Sequence, residues 1–91
     1  MTLTLILKKE WFDKIKNGEK TIEYREAKEY WHKRLNKKFD KIIFKNGYQK
    51  NAPAVIADFA WMTVIDGAET DLKIDKYVYA IGFRNVRPYC I

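Results

Sequence analysis

Four side chains that could do chemistry lie within six consecutive positions, Lys20, Thr21, Glu23 and Arg25. The last three alternate with Ile22 and Tyr24, so in a strand they would share one face. A lysine can serve as base or nucleophile, a glutamate as general acid or base, and an arginine can bind phosphate or carboxylate. Thr21 adds a hydroxyl that donates or accepts one hydrogen bond. Three interpretations remain open: the floor of a polar pocket, a solvated strand edge, or an internal network that joins Glu23 to Arg25 or Lys20.

Aromatic residues interleaved with cations follow this segment. Tyr30, Trp31 and His32 stand among Lys28, Lys33 and Arg34. Such a mixture can stack on nucleic-acid bases and bind phosphates. The alternative is that Tyr30 and Trp31 form the buried face of a helix with Ala27 and Leu35, whose spacing favours it, and that His32 faces solvent.

A turn sequence, Asn46-Gly47, precedes a third aromatic side chain, Tyr48. It predicts either a pocket rim that carries the phenol or an ordinary hairpin turn. A basic stretch of lysines surrounds the strand that precedes it and could contact phosphates or be a solvated face. These lysines are Lys37, Lys38, Lys41, Lys45 and Lys50. The charges of the late segment, Glu69, Asp71 and Asp75, are predicted to be solvated.

The net charge is +6, from 18 Lys and Arg against 12 Asp and Glu. This excess favours an anionic partner, of which nucleic acid is the commonest, although a lysine-rich surface would give the same value. Cys90 is the only cysteine and there is one histidine, so we expect no internal disulfide, no zinc site and no metal. Cys90 has no basic neighbour in sequence, and no catalytic thiol and no cofactor are expected.

No apolar run approaches the roughly 20 residues of a membrane span. The apolar start, Thr2–Leu7, is too short for a signal peptide and is predicted to be a first strand. We therefore expect a cytoplasmic protein with no membrane partner. The 91 residues predict one domain, 1–91, with a modest core.

Periodicity predicts an α+β chain in the order strand, helix, strand, helix and three strands. The first helix carries Trp11, Phe12 and Ile15 and ends at Gly18, and the second runs over Ala27–Leu35. The four later strands are predicted at Lys20–Arg25, Phe39–Lys45, Val55–Ile65 and Tyr77–Phe83. Gly82 in the last strand predicts a bulge or a close backbone approach. A curled sheet or small barrel buries these faces best.

The chain resembles ASCH domains of the PUA-like superfamily. The core of the resemblance is Gly18, Lys20, Glu23 and Arg25, after Lys9-Glu10-Trp11-Phe12. Further matching segments, typical of a compact bacterial and phage subgroup, are Glu26–Trp31, Arg34-Leu35, Phe44–Tyr48 and Tyr79–Gly82. The resemblance implies a PUA-like small mixed β-barrel of five to six strands with two short helices. It also implies a cleft over the barrel, with Lys20, Glu23 and Arg25 at its floor, and an RNA ligand.

One bacterial branch of the family hydrolyses the acetyl amide of N4-acetylcytidine. It uses a lysine at the position of Lys20, a threonine three residues later and a glutamate from a later segment. Glu23 stands at the threonine position here, and Glu69 is the only nearby candidate for the later carboxylate. Some ASCH proteins are reported to cleave RNA.

Three hypotheses about function follow. The first is a module that binds RNA or a nucleotide-like ligand through Lys20, Thr21, Glu23 and Arg25, with Trp31 or Tyr48 flanking a base. The second is a small hydrolase of a modified nucleoside or of RNA, with Lys20 as base or nucleophile and Glu23 as its acid/base partner. The third is a phage accessory domain that binds another protein through an exposed edge of the Val55–Ile65 strand.

Overall fold

The computed structural model describes residues 1–89, so Cys90 lies outside the described residues. The strands are β1 (Thr2–Leu7), β2 (Ile22–Glu26), β3 (Lys41–Asn46), β4 (Ala54–Asp66) and β5 (Tyr77–Pro88). The helices are α1 (Lys9–Lys16) and α2 (Glu29–Leu35), and a short 3₁₀ turn spans Gly67–Glu69. The predicted order of elements is confirmed.

The five strands form one mixed sheet in the order β1-β3-β4-β5-β2. β1 and β3 are parallel, and the other three pairs are antiparallel. The sheet curls so that its two outer strands, β1 and β2, approach each other. Arg25 of β2 donates a hydrogen bond to the backbone oxygen of Ile6 in β1, at 3.3 Å. The fold is thus an α+β curled half-barrel with two short helices, as the sequence predicts.

The core lies inside the curl and is almost entirely apolar. Alternate residues of β1 and β3 are buried, and α1 covers them with two residues at helical spacing. The cluster consists of Leu3, Leu5, Leu7, Phe12, Ile15, Leu35, Ile42, Phe44, Val55, Ala57, Ile81 and Phe83. β2 differs from the other strands, because its buried residue is a glutamate, Glu23.

The chain leaves α1 through Gly18, whose φ of +79° is the left-handed conformation predicted for it. The backbone N–H of Glu19 and that of Lys20 both bond the carbonyl of Lys14 and so close the last turn. Lys20 is thereby placed two residues before β2, directly beside the end of the helix, whereas the strand was predicted to begin at Lys20. The glycine and this closure together bring the lysine to the inner side of the curl.

The predicted close approach at Gly82 is confirmed. It stands opposite Trp61 at an irregularity in the β4–β5 pairing. A Cβ at Gly82 would lie 2.2 Å from Cε2 of Trp61, so the indole rests directly on the glycine backbone.

The two long strands differ in pairing or bounds from a simple sheet of matched strands. β4 lies between β3 and β5, but β3 pairs only with Ala54–Asp58, so within residues 1–89 the later half of the Val55–Ile65 strand pairs with β5 alone. That an exposed edge of this strand binds a protein partner stays a prediction. β5 runs to Pro88 rather than to Phe83. The added residues are mostly polar and show no apolar alternation, yet they continue to pair with β4.

Candidate nucleotide-binding cleft

A cleft of about 770 Å³ opens where β1, β2 and the two helices meet. Its volume lies within the range of small-molecule sites, about 300–1,000 Å³. Five of its lining side chains are cations and two are carboxylates. The lining residues are Ile6, Leu7, Lys8, Trp11, Lys20, Glu23, Tyr24, Arg25, Lys28, Tyr30, Trp31, Arg34, Tyr48, Asp71 and Leu72.

The floor of the cleft is a chain of ion pairs centred on Glu23. One carboxylate oxygen of Glu23 contacts Arg25, and the other lies 3.3 Å from Nζ of Lys20. Lys20 also donates to Asp71, which lies 51 residues further along the chain. The side chains of Glu23 and Lys20 are only 5% and 9% exposed. Because a buried charge without an opposite partner is unfavourable, the stability of each charge here depends on its partners.

Aromatic rings surround the two cations of the floor. The ammonium of Lys20 lies 4.9 Å from the ring centre of Trp11 and 5.0 Å from that of Tyr24. The guanidinium of Arg25 lies 5.2 Å from the ring centre of Trp31. These distances fit cation–π contacts, which add attraction and exclude water from the charges.

Arg25 on β2 and Arg34 on α2 each reach across to a backbone oxygen on the outer edge of β1. Besides its bond to Ile6, Arg25 donates to the carbonyl of Tyr24 at 3.0 Å. Arg34, on α2, donates to the carbonyl of Thr4 at 2.9 Å and to the hydroxyl of Tyr30 at 3.1 Å. Its guanidinium also lies 5.3 Å from the ring centre of Trp31. Trp31 is therefore held beside two guanidinium groups.

The rim of the cleft combines cations with aromatic side chains. Tyr48 is 87% exposed and Tyr30 is 56% exposed, so each presents most of its ring to solvent. Lys8 and Lys28 are exposed cations on the same rim. Exposed rings beside exposed cations provide stacking surface and positive charge at the entrance.

The structure brings together five of the six predicted binding residues. Lys20, Glu23, Arg25, Trp31 and Tyr48 all line the cleft. The sixth, Thr21, precedes β2, is exposed and is not among the lining residues. The pocket and the internal network, treated above as alternatives, coincide, because the network of Glu23 forms the floor of the pocket.

Four contributors were not predicted from the sequence. Trp11 was placed on the first helix with Phe12 and Ile15, Tyr24 was noted only as alternating with the polar residues, and Arg34 only as a cation near the aromatic residues. Asp71 is exposed, as predicted, but its pairing with Lys20 was not predicted. Asp71 and Lys20 are 51 residues apart, so no local sequence pattern indicates that they form a pair.

The remaining predicted carboxylates and the histidine lie elsewhere. Glu69 is exposed in the 3₁₀ turn and does not line the cleft. His32 is exposed, as predicted, and its Nδ1 is hydrogen-bonded to the hydroxyl of Tyr79. Within residues 1–89 no three His, Cys, Asp or Glu side chains are grouped as metal ligands. No helix in that range is long and apolar enough to span a membrane.

The fold and cleft define an α+β half-barrel domain with a charged, aromatic cleft, and a family comparison gives the family. The model of the ASCH domain matches residues 5–87, which is nearly the whole chain. The chain therefore belongs to the ASCH family. ASCH domains are PUA-like and often bind RNA. No curated protein and no solved structure matches the chain.

Proposed function

We propose that the cleft binds single-stranded RNA or a nucleotide-like ligand. The observation that carries the proposal is the pairing of buried cations with exposed rings in one cleft. Lys20 and Arg25 lie at the floor, and Trp31, Tyr30 and Tyr48 lie on the walls and rim. Single-stranded nucleic acids are bound by this combination, in which rings stack on bases and cations meet phosphates.

The contacts at the floor give Lys20 and Arg25 different roles. Arg25 already bonds a carboxylate and two backbone oxygens, so its main role is to position Glu23 and the ring of Trp31. Lys20 has three N–H donors and contacts two carboxylates, which leaves one donor for a ligand. The exposed Lys8 and Lys28 would meet phosphates at the rim.

The test is a binding titration of a fluorescently labelled single-stranded RNA of about ten nucleotides, between about 50 and 200 mM salt. Affinity is expected to fall as salt rises, and both Lys20→Met and Lys28→Ala should weaken binding at least about fivefold. Lys16→Ala is the matched control, because Lys16 is an exposed lysine at the end of α1 and outside the cleft. Equal losses in all three variants, or binding that salt does not change, would refute the proposal.

One observation favours a second candidate, hydrolysis of N4-acetylcytidine. A carboxylate of the late segment does contact Lys20, and it is Asp71 rather than Glu69. Hydrolysis would add water across the bond between the acetyl carbon and N4 and release cytidine and acetate. Incubation with the nucleoside and mass detection decide this: product above that of Lys20→Met supports the activity, and equal traces exclude it for this substrate.

A further inference from the structure

A second, smaller groove lies next to the cleft, on the other side of Arg34. Its volume is about 220 Å³, which is below the range of about 300–1,000 Å³ for small-molecule sites. It is bordered by the start of β1 and by the segment that follows α2. Arg34, Lys37, Phe39, Thr2 and Thr4 are among its lining residues.

Arg34 belongs to both cavities, so they share one guanidinium group. Its hydrogen bonds to Thr4 and Tyr30 use two of its five N–H donors. These bonds and the ring of Trp31 fix the planar group between the two spaces. A guanidinium held in this way can bind an oxyanion with the remaining donors without first losing much side-chain freedom.

The charge of the small groove suits a phosphate. Lys37 is exposed, and the cationic side chains among the described lining residues are Arg34 and Lys37, with no carboxylate among them. Met1 also lines the groove, and its amino group lies 3.5 Å from the carboxylate of Asp40, which offsets its charge. The main cleft differs, because Glu23 and Asp71 offset part of its positive charge. A polyanion that leaves the main cleft would therefore find a more strongly positive path over Arg34 than beside Lys20.

We infer that the small groove is a subsite for the phosphodiester of a nucleotide next to the one in the main cleft, with Arg34 between the two. The inference rests on the proposed function, because it adds a second position to the same site. The groove is too small for a nucleotide of its own but has the cations and hydroxyls that a sugar-phosphate link requires. The preferred ligand is thus an RNA strand of two or more nucleotides rather than a free nucleoside.

Calorimetric titration of mononucleotides and of short RNA oligomers, about two to six nucleotides long, tests the inference at one low salt concentration. Oligomers should bind at least about tenfold more tightly than mononucleotides. Lys37→Ala should remove most of this gain, leave mononucleotide affinity unchanged, and reduce the slope of log affinity against log salt by about 0.7, the value for one single-strand phosphate contact. Lys16→Ala serves as the control for a general loss of surface charge.

The outcomes separate the subsite from the cleft itself. If mononucleotides and oligomers bind equally well, or if Lys37→Ala behaves as Lys16→Ala does, the subsite is refuted and the proposed function stands. If neither ligand binds, both are refuted. Since Lys37 is exposed, loss of folding is not expected to obscure the result, and circular dichroism of the variant checks this.

Discussion

Glu23 is the residue on which the geometry of the cleft depends. Its carboxylate is shared between Lys20 and Arg25, and each of these cations has further partners of its own. Without this carboxylate, Lys20 and Arg25 would stay largely buried, would repel each other and would have fewer negative partners to offset their charges. The single buried residue of β2 therefore holds the floor together before any ligand arrives.

We expect Glu23→Ala to lower the free energy of unfolding by about 3–5 kcal/mol, since it removes one partner of a buried pair. Urea denaturation measures the change. Glu29→Ala is the control: Glu29 and Lys33 are both more than three-quarters exposed, so this substitution should change stability by less than about 1 kcal/mol. Equal effects of the two substitutions would show that the network does not stabilise the fold.

Among the elements, the segment between β4 and β5 is the one that adds a carboxylate to the cleft. Asp71 follows the 3₁₀ turn, and its side chain is 30% exposed, far more than that of Lys20. Thr70, which is buried, anchors the turn through its hydroxyl, which donates to the carbonyl of Gly67 at 2.8 Å. The hydrogen bond of Thr70 thus fixes the position of the segment, so that Asp71 lies beside Lys20, where a ligand phosphate would also bind.

A ligand phosphate and Asp71 should compete for the ammonium of Lys20. If the cleft only binds, Asp71→Asn should raise affinity for single-stranded RNA about three- to tenfold, because it removes a negative charge and frees a donor. Anisotropy titration measures the gain, with Asp75→Asn, an exposed carboxylate of the same segment, as the control.

The same variant separates the two candidate functions. A hydrolase that needs the carboxylate would lose its activity in Asp71→Asn, whatever happens to affinity. Weaker RNA binding in Asp71→Asn than in Asp75→Asn would contradict the competition and indicate that Asp71 supports the ligand.

For the whole molecule, acid stability depends in part on a cluster on β3, β4 and β5. The pKa of Asp58 is held well below its usual range, first by a hydrogen bond from Asn85 and then by Lys41 and Arg87. Asn85 has a φ of 57°, a conformation that asparagine tolerates better than most residues, and its side chain donates to Asp58 at 2.8 Å. The cluster ties three neighbouring strands together.

A lowered pKa in the folded state means that Asp58 stabilises the fold above its unfolded pKa, near 3.9, and that this contribution is lost as the pH falls towards the folded value. We expect Asp58→Asn to be less stable than the native protein at neutral pH. The difference should shrink steadily below about pH 5. Thermal unfolding across the pH range measures it, and a difference that does not depend on pH would contradict this origin.

The sequence predicted the elements well because their signals are local. Alternation defines β1, helical spacing and Gly18 define α1, and Asn46-Gly47 marks the end of β3. The floor of the cleft was predicted because Lys20, Glu23 and Arg25 are close in sequence, and Trp31 and Tyr48 were predicted from their aromatic type beside cations or a turn. Asp71 was missed because its contact with Lys20 depends on how a distant segment folds back.

The order of the strands in the sheet could likewise not be predicted from local sequence patterns. The curl places β2 beside β1 in space although β5 is its partner in the ladder. Arg34 acquires its position between two cavities only through this arrangement. Polar residues at the end of β5 carried no strand signal, because their pairing with β4 determines their conformation.

The two arginines at the gap between β1 and β2 have a consequence for self-association. β1 is an outer strand of alternating threonine and aliphatic residues, the kind of edge on which another chain can add a strand and begin to aggregate. Arg25 and Arg34 occupy the outward carbonyls of Ile6 and Thr4 and place charge along that edge. The same guanidinium groups that line the cleft thus oppose intermolecular β-pairing, and substitutions that remove either one are expected to lower solubility.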